Sequence, residues 1–591
     1  LLRIKSLKLI RLSKSLGEEM RRFLSAIVLA SVLVTGFPSA GNFSSALAQR
    51  KVSKTAKAAP ASVASQRGAD TITAAELKDY LSFIASDEME GRDTPSRGLD
   101  TTAKFLGMNL SRWGFKPAGD DGTFFQKIAL RRDYLEKAET RVQLSSQTLS
   151  LGDDYIPYSR SANISASLVF AGSGWFVKSK NMDAYKGIDA KGKIAIVVSP
   201  PDGLPRGLTR ADLTGKRGED YMTASEYAQK QGAVGLVVIP DFQYLANWDR
   251  NRSRLTERGV IRVEKFQTSP SSIASGNPAA NPVLLPQIVA APRLTNALFQ
   301  GEKQSANAIF ESIYSGKVPE SFELNPDKQL SLTIKTKSES LATQNVVAVF
   351  EGSDPVLKDE YVAVGAHYDH IGIGVPVNGD AIYNGADDDG SGTTALLAMA
   401  EALAKAPKRP KRSVLFVWHA GEEKGLWGSR YFTNYPTIPL EKIVTQINID
   451  MIGRSKKEGD TNARNANLSG PNEIYVIGSK MMSTELGELT EAVNKDYLNL
   501  AFNYRYDDPS DPNRFFFRSD HYNYAKKGIP IVFFFDGEHE DYHRPGDEVQ
   551  KIDFPKMEKI TRTVYMLLWE VANRATRPKV DKQLPAQLSG G

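Results

Sequence analysis

Gly365-Ala366-His367-Tyr368-Asp369-His370, then Gly385-Ala386-Asp387-Asp388-Asp389-Gly390-Ser391-Gly392, then Gly421-Glu422-Glu423 follow one another within residues 365–423. An imidazole, a run of carboxylates and a paired glutamate each stand at the mouth of what reads as a buried element. Hard and borderline donors gathered at element ends in this way make up most of a two-metal hydrolytic site.

The flanking sequence supplies the elements. Apolar, β-branched runs at 345–350, 361–365, 413–418, 444–449, 474–477 and 529–535 read as buried strands, and 391–406, 482–493 and 554–575 read as helices between them. Strands alternating with helices predict an α/β fold, a central, mostly parallel sheet flanked by helices on both faces. This catalytic region is placed at 333–578, with a polar tail at 579–591.

Before it, 71–141 reads as a helical N-terminal part of the same domain, with Leu77, Tyr80, Leu81 and Ile84 on one face and a second run through Phe105, Leu106, Leu110 and Trp113. From 142 to 332 the texture changes to short β-like runs at 167–170, 194–198 and 234–239, with a helix over 221–231, which predicts a smaller β-rich insertion. Residues 241–281, polar and rich in Arg and Ser, read as a long surface loop.

The chain of 591 residues, 41% hydrophobic and 24% charged, is too long for a single core. Its net charge of +6 carries no nucleic-acid signal, because seven basic residues against Glu18 and Glu19 give residues 1–48 +5 and leave +1 for the rest. Met20-Arg21-Arg22, the apolar run 23–37 and Ala46-Leu47-Ala48 have the parts of a secretory signal, so 1–48 is expected to be a signal region with Met20 as its start. The run is short for a membrane span. A flexible Ala/Ser/Lys linker at 49–70 follows, and the expected location is periplasmic or extracellular. With no cysteine in the chain, metal ligands must come from His, Asp and Glu.

All six histidines, at 367, 370, 419, 521, 539 and 543, fall in the last domain. His367 and Asp369 are two apart at a strand end, so their side chains share a side, and the carboxylate is placed to hold the imidazole's second nitrogen. Any one of Asp387, Asp388 and Asp389 could bridge two cations, and spacing does not choose among them. Of Glu422 and Glu423, one can bind metal while its neighbour faces the attacking water. Asp450 ends the strand 444–449, and His543 follows the last strand. Five segments thus converge past the carboxyl ends of strands, where open α/β sheets place their sites. The N and O donors suit zinc best, with manganese or cobalt as alternatives.

At this point the sequence resembles the co-catalytic di-zinc aminopeptidases, the family that includes bacterial leucyl aminopeptidases and aminopeptidase Y. The likeness covers 71–130 and 345–575 and rests on an ordered motif set. It implies His367 and Asp450 on one zinc, Glu423 and His543 on the other, Asp388 bridging, Asp369 behind His367, and Glu422 as general base. In the implied reaction a hydroxide between two zinc ions attacks the N-terminal peptide bond, and Tyr542 helps to hold the oxyanion. Residues 142–332 look like the protease-associated domain such enzymes carry as an insertion.

The expected partners are peptide or protein N-termini, with no nucleic acid, no stable membrane span in the mature chain and an oligomeric state that sequence does not give. Three rivals stand beside this reading. A carboxypeptidase of the same fold would take free C-termini, a glutaminyl cyclase would need a single metal, and a non-enzymatic binding protein on this scaffold would show eroded ligands. His419, where the family has a small or hydroxyl residue, reads as packing beneath the pocket. Ser519-Asp520-His521 cannot form a triad from consecutive residues and reads as a helix start lining the pocket.

Overall fold

The β-branched runs become strands because both of their faces find apolar cover. The computed structural model describes residues 67–584 apart from 159–160, 199–203, 206, 269–284, 318 and 509. The expected signal region and nearly all of the linker lie outside the described residues. No described helix is long and apolar enough to cross a membrane.

Strands β1 (Phe125–Leu135), β2 (Val260–Val263), β3 (Thr336–Phe350), β4 (Tyr361–His367), β5 (Ser413–His419), β6 (Ile443–Ile449), β7 (Glu473–Ile477), β8 (Ala501–Asn503) and β9 (Ile531–Phe535) form one sheet in the order β2-β1-β3-β5-β4-β6-β9-β7-β8. Alternation along each strand divides the cover. Val362, Val364 and Ala366 of β4 face a cluster with Leu81, Leu106, Leu396 and Val564, whereas Ala363 joins Leu415, Phe432 and Phe533 on the other side.

Helices α1 (Ala74–Ile84), α2 (Arg97–Arg112), α3 (Gly390–Lys405) and α4 (Trp427–Asn434) precede α5 (Thr484–Asp496) and α6 (Phe554–Asn573). Their starts follow capping chemistry: Thr73, Ser96, Asp389, Ser483 and Asp553 each accept a backbone N–H of the first turn. The helix expected over 482–493 is accordingly broken at Ser483, with Ser479–Met482 before it.

Three expectations need correction. The sheet is mixed: its centre, β5-β4-β6-β9, and the outer pair β7-β8 are parallel, whereas β1 and β3 form a long antiparallel ladder towards one edge and β7 runs antiparallel to β9. Second, the N-terminal part is helical only through α2, since β1 alternates buried Ile128 and Leu130 with exposed Lys127 and Arg131 and finds its partner two hundred residues away in β3.

Third, 241–281 is not a surface loop over its described length. It carries helices at Phe242–Ala246 and Trp248–Ser253, strand β2 antiparallel to β1, and a helical turn at Glu264–Thr268. Through β2 this strap returns from the inserted segment to the catalytic sheet.

The remaining insertion builds a second sheet around the parallel strands Ala162–Phe170, Ile194–Val198, Gly235–Ile239 and Gln287–Ala290, with its own apolar core. The helix expected over 221–231 is Ala224–Lys230, opened by a capping box between Thr223 and Glu226.

Candidate metal centre

The parallel centre of the sheet sets the site, since β4, β5, β6 and β9 all end on the same side. His367 is the last residue of β4, Glu422 and Glu423 follow β5, Asp450 follows β6, and Tyr542 and His543 follow β9. Asp388 comes from the turn that enters α3.

His367 Nε2 lies 3.3 Å from Asp388 Oδ1, 3.6 Å from Asp450 Oδ1 and 3.9 Å from Glu422 Oε2. His543 Nε2 lies 3.2 Å from both Asp388 Oδ2 and Glu423 Oε2. The two oxygens of Asp388 thus face two different donor groups. Candidate donor atoms gather within 4.8 Å as His367, Asp388 and Asp450, and as His370, Asp388 and Glu423.

The neighbours of Asp388 face other partners. Asp389 caps α3: its Oδ1 accepts from Gly392 N and Met451 N, and its Oδ2 accepts from His367 N. A Cβ on Gly392 would sit 2.4 Å from Asp389 Oδ1, so glycine is required there. Asp387 Oδ1 accepts from Gly453 N at 2.7 Å and its Oδ2 faces His539 Nε2 at 3.4 Å. Asp388 Oδ2 is buried with no hydrogen bond. An ionised oxygen left this way and aimed between imidazoles fits a cation.

Asp369 departs from expectation. Its backbone carbonyl, 3.1 Å from His367 Nδ1, receives the imidazole's second nitrogen, while its carboxylate is 3.7 Å away and accepts instead from Glu422 N at 3.1 Å. With Nδ1 engaged by that carbonyl, Nε2, which faces Asp388 and Asp450, is the nitrogen that would serve a metal.

The electrostatics divide the acids. Burial and Asp388 oppose ionisation of Glu423, yet His370 and His543 hold its pKa down at about 2. Burial likewise opposes ionisation of Asp388, and His370, His367 and His543 overcome it and hold the carboxyl well below its usual range. Glu422 goes the other way, pushed well up by burial and by the charges of Glu423, Asp450 and Asp520 against His367. Burial also raises Asp450. Despite burial, Asp388 and Glu423 lift His543 to about 10.

Tyr542 stacks on His543 with ring centroids 3.9 Å apart, and its hydroxyl accepts from Arg518 Nη2 at 3.3 Å. His419 is fully buried beneath the site, its Nε2 3.0 Å from the Tyr524 hydroxyl and its Nδ1 3.3 Å from Asp520. His521 does not line the pocket: it is buried flat against Phe533, and burial pushes its pKa down to about 3.

Two residues in the centre were not singled out from sequence. His370, fully buried, places Nδ1 2.7 Å from Glu423 Oε1. Its signal was its position three after His367. Arg92, also fully buried, donates to the carbonyls of Tyr368, Ile84, Asn384 and Gly385, so one guanidinium ties together the two loops that carry His367 and Asp388. Nothing in the polar loop around it announced that role.

Imidazole and carboxylate donors stand in two groups sharing one aspartate at the carboxyl end of an α/β sheet, and this donor set fits two zinc ions. Residues 345–568, which carry this centre, match the model of Peptidase family M28.

An aminopeptidase of Pseudomonas aeruginosa (strain UCBPP-PA14) is 32% identical over 211 residues, which are 35% of this chain and 36% of that one. Aminopeptidase Y of Saccharomyces cerevisiae is 35% identical over 136 residues, 23% of each chain. The chain therefore spans well under half the length of these relatives. The solved aminopeptidase from Aneurinibacillus sp. strain AM-1 superposes with a TM-score of 0.50 at 14% identity, over 88% of this chain and 98% of that one, a likeness of fold.

Proposed function

We propose that the chain is an exported metal-dependent aminopeptidase that removes residues from peptide N-termini. The observation that carries this is the shared Asp388 carboxylate between two donor groups, with Glu422 beside them and outside both. Zinc bound there would supply Lewis acidity, lowering the pKa of water and polarising a peptide carbonyl.

Glu422 is the general base in this reading. Its backbone is fixed by Asp369, and the burial that raises its proton affinity suits it to take a proton from water and return it to the departing amine. The water oxygen bonds to the carbonyl carbon, the C–N bond breaks, and the amine leaves with the proton. His543, 40% exposed, marks the side open to substrate. Tyr542 borders that side and is placed to steady the oxyanion. Export rests on the signal-like residues 20–48, and the second sheet is proposed to be a protease-associated module.

Glu422→Gln tests the assignment. Bound zinc should persist while turnover falls by ~10²–10⁴-fold, and near-normal turnover would refute it. Peptides with free and acetylated N-termini test the direction of attack: cleavage of the acetylated peptide from its C-terminus would sink the aminopeptidase reading.

A further inference from the structure

The loop that carries Asp388 is held from a second direction. Asp547, four residues past His543, is fully buried. Its Oδ2 accepts from the backbone N–H groups of both Asp387 and Asp388 at 3.0 Å, and its own carbonyl accepts from Ala386 N at 3.0 Å. Three successive residues of the bridging loop thus hang on one residue of the loop that carries His543. The other oxygen, Oδ1, faces Arg454 Nη1 at 3.6 Å and His539 Nε2 at 3.9 Å.

A carboxylate this deep cannot meet substrate, so its effect must pass through what it holds. The Asp388 peptide fixes where the Asp388 carboxylate projects, and that carboxylate faces both donor groups. We infer that Asp547 is a positioning residue for both metal positions at once, locking the bridging aspartate to the loop of His543. This rests on the metal-centre reading above and not on the peptidase reaction. It differs from the role of a single ligand such as Asp450, whose loss touches one position directly.

A competing role is open to test: Asp547 could serve only as the counter-charge to Arg454 and His539. Asp547→Asn keeps an oxygen for the two amides and loses the charge. Asp547→Glu keeps the charge but, one methylene longer, carries its oxygens away from those amides.

The experiment is a zinc titration of the full chain by competition with a chromophoric chelator, with zinc content measured by elemental analysis and melting recorded without metal. Asp547→Glu and Asp547→Ala are expected to weaken zinc binding at both positions by ~10–100-fold, the usual effect of losing a residue that orients a ligand. Asp547→Asn should keep most of the affinity.

Wild-type affinity in Asp547→Glu, or an Asn variant as weak as the Glu variant, overturns the inference in favour of the counter-charge role. Should Asp547→Ala fail to fold, the Asn and Glu pair still decides. An unsubstituted chain that binds two zinc ions but cleaves no peptide would sink the aminopeptidase reading and leave this test intact.

Discussion

Phe266→Ala should loosen the strap that joins the inserted segment to the catalytic sheet. Phe266 is 5% exposed and packs with Ile128, Leu130, Val263, Trp427 and Tyr431, and the Arg430 guanidinium lies 4.1 Å over its ring. Truncating a buried Phe costs about 3–5 kcal/mol. At a sheet edge the lower end applies, with ~0.5–1 kcal/mol more for the lost cation–π contact. The penalty falls on a strap held by the four residues of β2, so it should appear as local opening.

A loss of about 3.5–4 kcal/mol corresponds to a ~300–700-fold rise in opening, at about 1.4 kcal/mol per factor of ten. Hydrogen exchange followed by mass spectrometry should show that acceleration in Val260–Val263 and a smaller one in α4, with Ile194–Val198 in the second sheet unchanged. Because Trp427 N donates to the Gly421 carbonyl at the turn that carries Glu422, turnover per bound zinc should fall as well. Unchanged protection in β2, or a uniform loss across both sheets, would refute the reasoning.

Two further outcomes follow from buried charges remote from substrate. Burial and the neighbouring Glu401 push Glu76 from 4.5 up to about 7. The folded chain therefore holds a proton that the unfolded chain releases, and stability falls as pH rises between those values and then levels. Glu76→Gln should remove that fall, melting above the unsubstituted protein at pH 8 but not at pH 5, and parallel melting curves against pH would contradict it. Arg92→Lys exchanges a fork that serves four carbonyls for an ammonium that cannot reach them all. It should cost ~3–5 kcal/mol and lower zinc content, whereas unchanged melting and metal would remove Arg92 from the centre.

What sequence could reveal followed the range of the interactions involved. The apolar runs marked β4, β5, β6 and β9 because each is covered on both faces, and the chemistry at their ends was visible with them. The run Asp387-Asp388-Asp389 could not be resolved by spacing, since what separates its members is tertiary: Gly453 takes Asp387, and Met451 and His367 take Asp389. Strap β2 was hidden for a different reason. It is four residues long, contains Arg262 and lies at a sheet edge, where charge is tolerated, so its composition matched that of a loop. In β1 the alternation was present but its partner was β3, beyond any local pattern.

The adjacent glutamates show how a motif legible as a pair becomes two roles. Both carboxylates are largely buried, so their common surroundings cannot distinguish them. The imidazoles do: Glu423 meets His370 through one oxygen and His543 through the other, and stays ionised in a place where burial alone would protonate it. Glu422 has only His367, at 3.9 Å, and burial together with the charges of Glu423, Asp450 and Asp520 drives its proton affinity up. One glutamate is thereby prepared as an anionic ligand and the next as a proton acceptor. The division depends on His370, which no metal-ligand motif required, because without it one buried oxygen of Glu423 would lose the ring nitrogen 2.7 Å away.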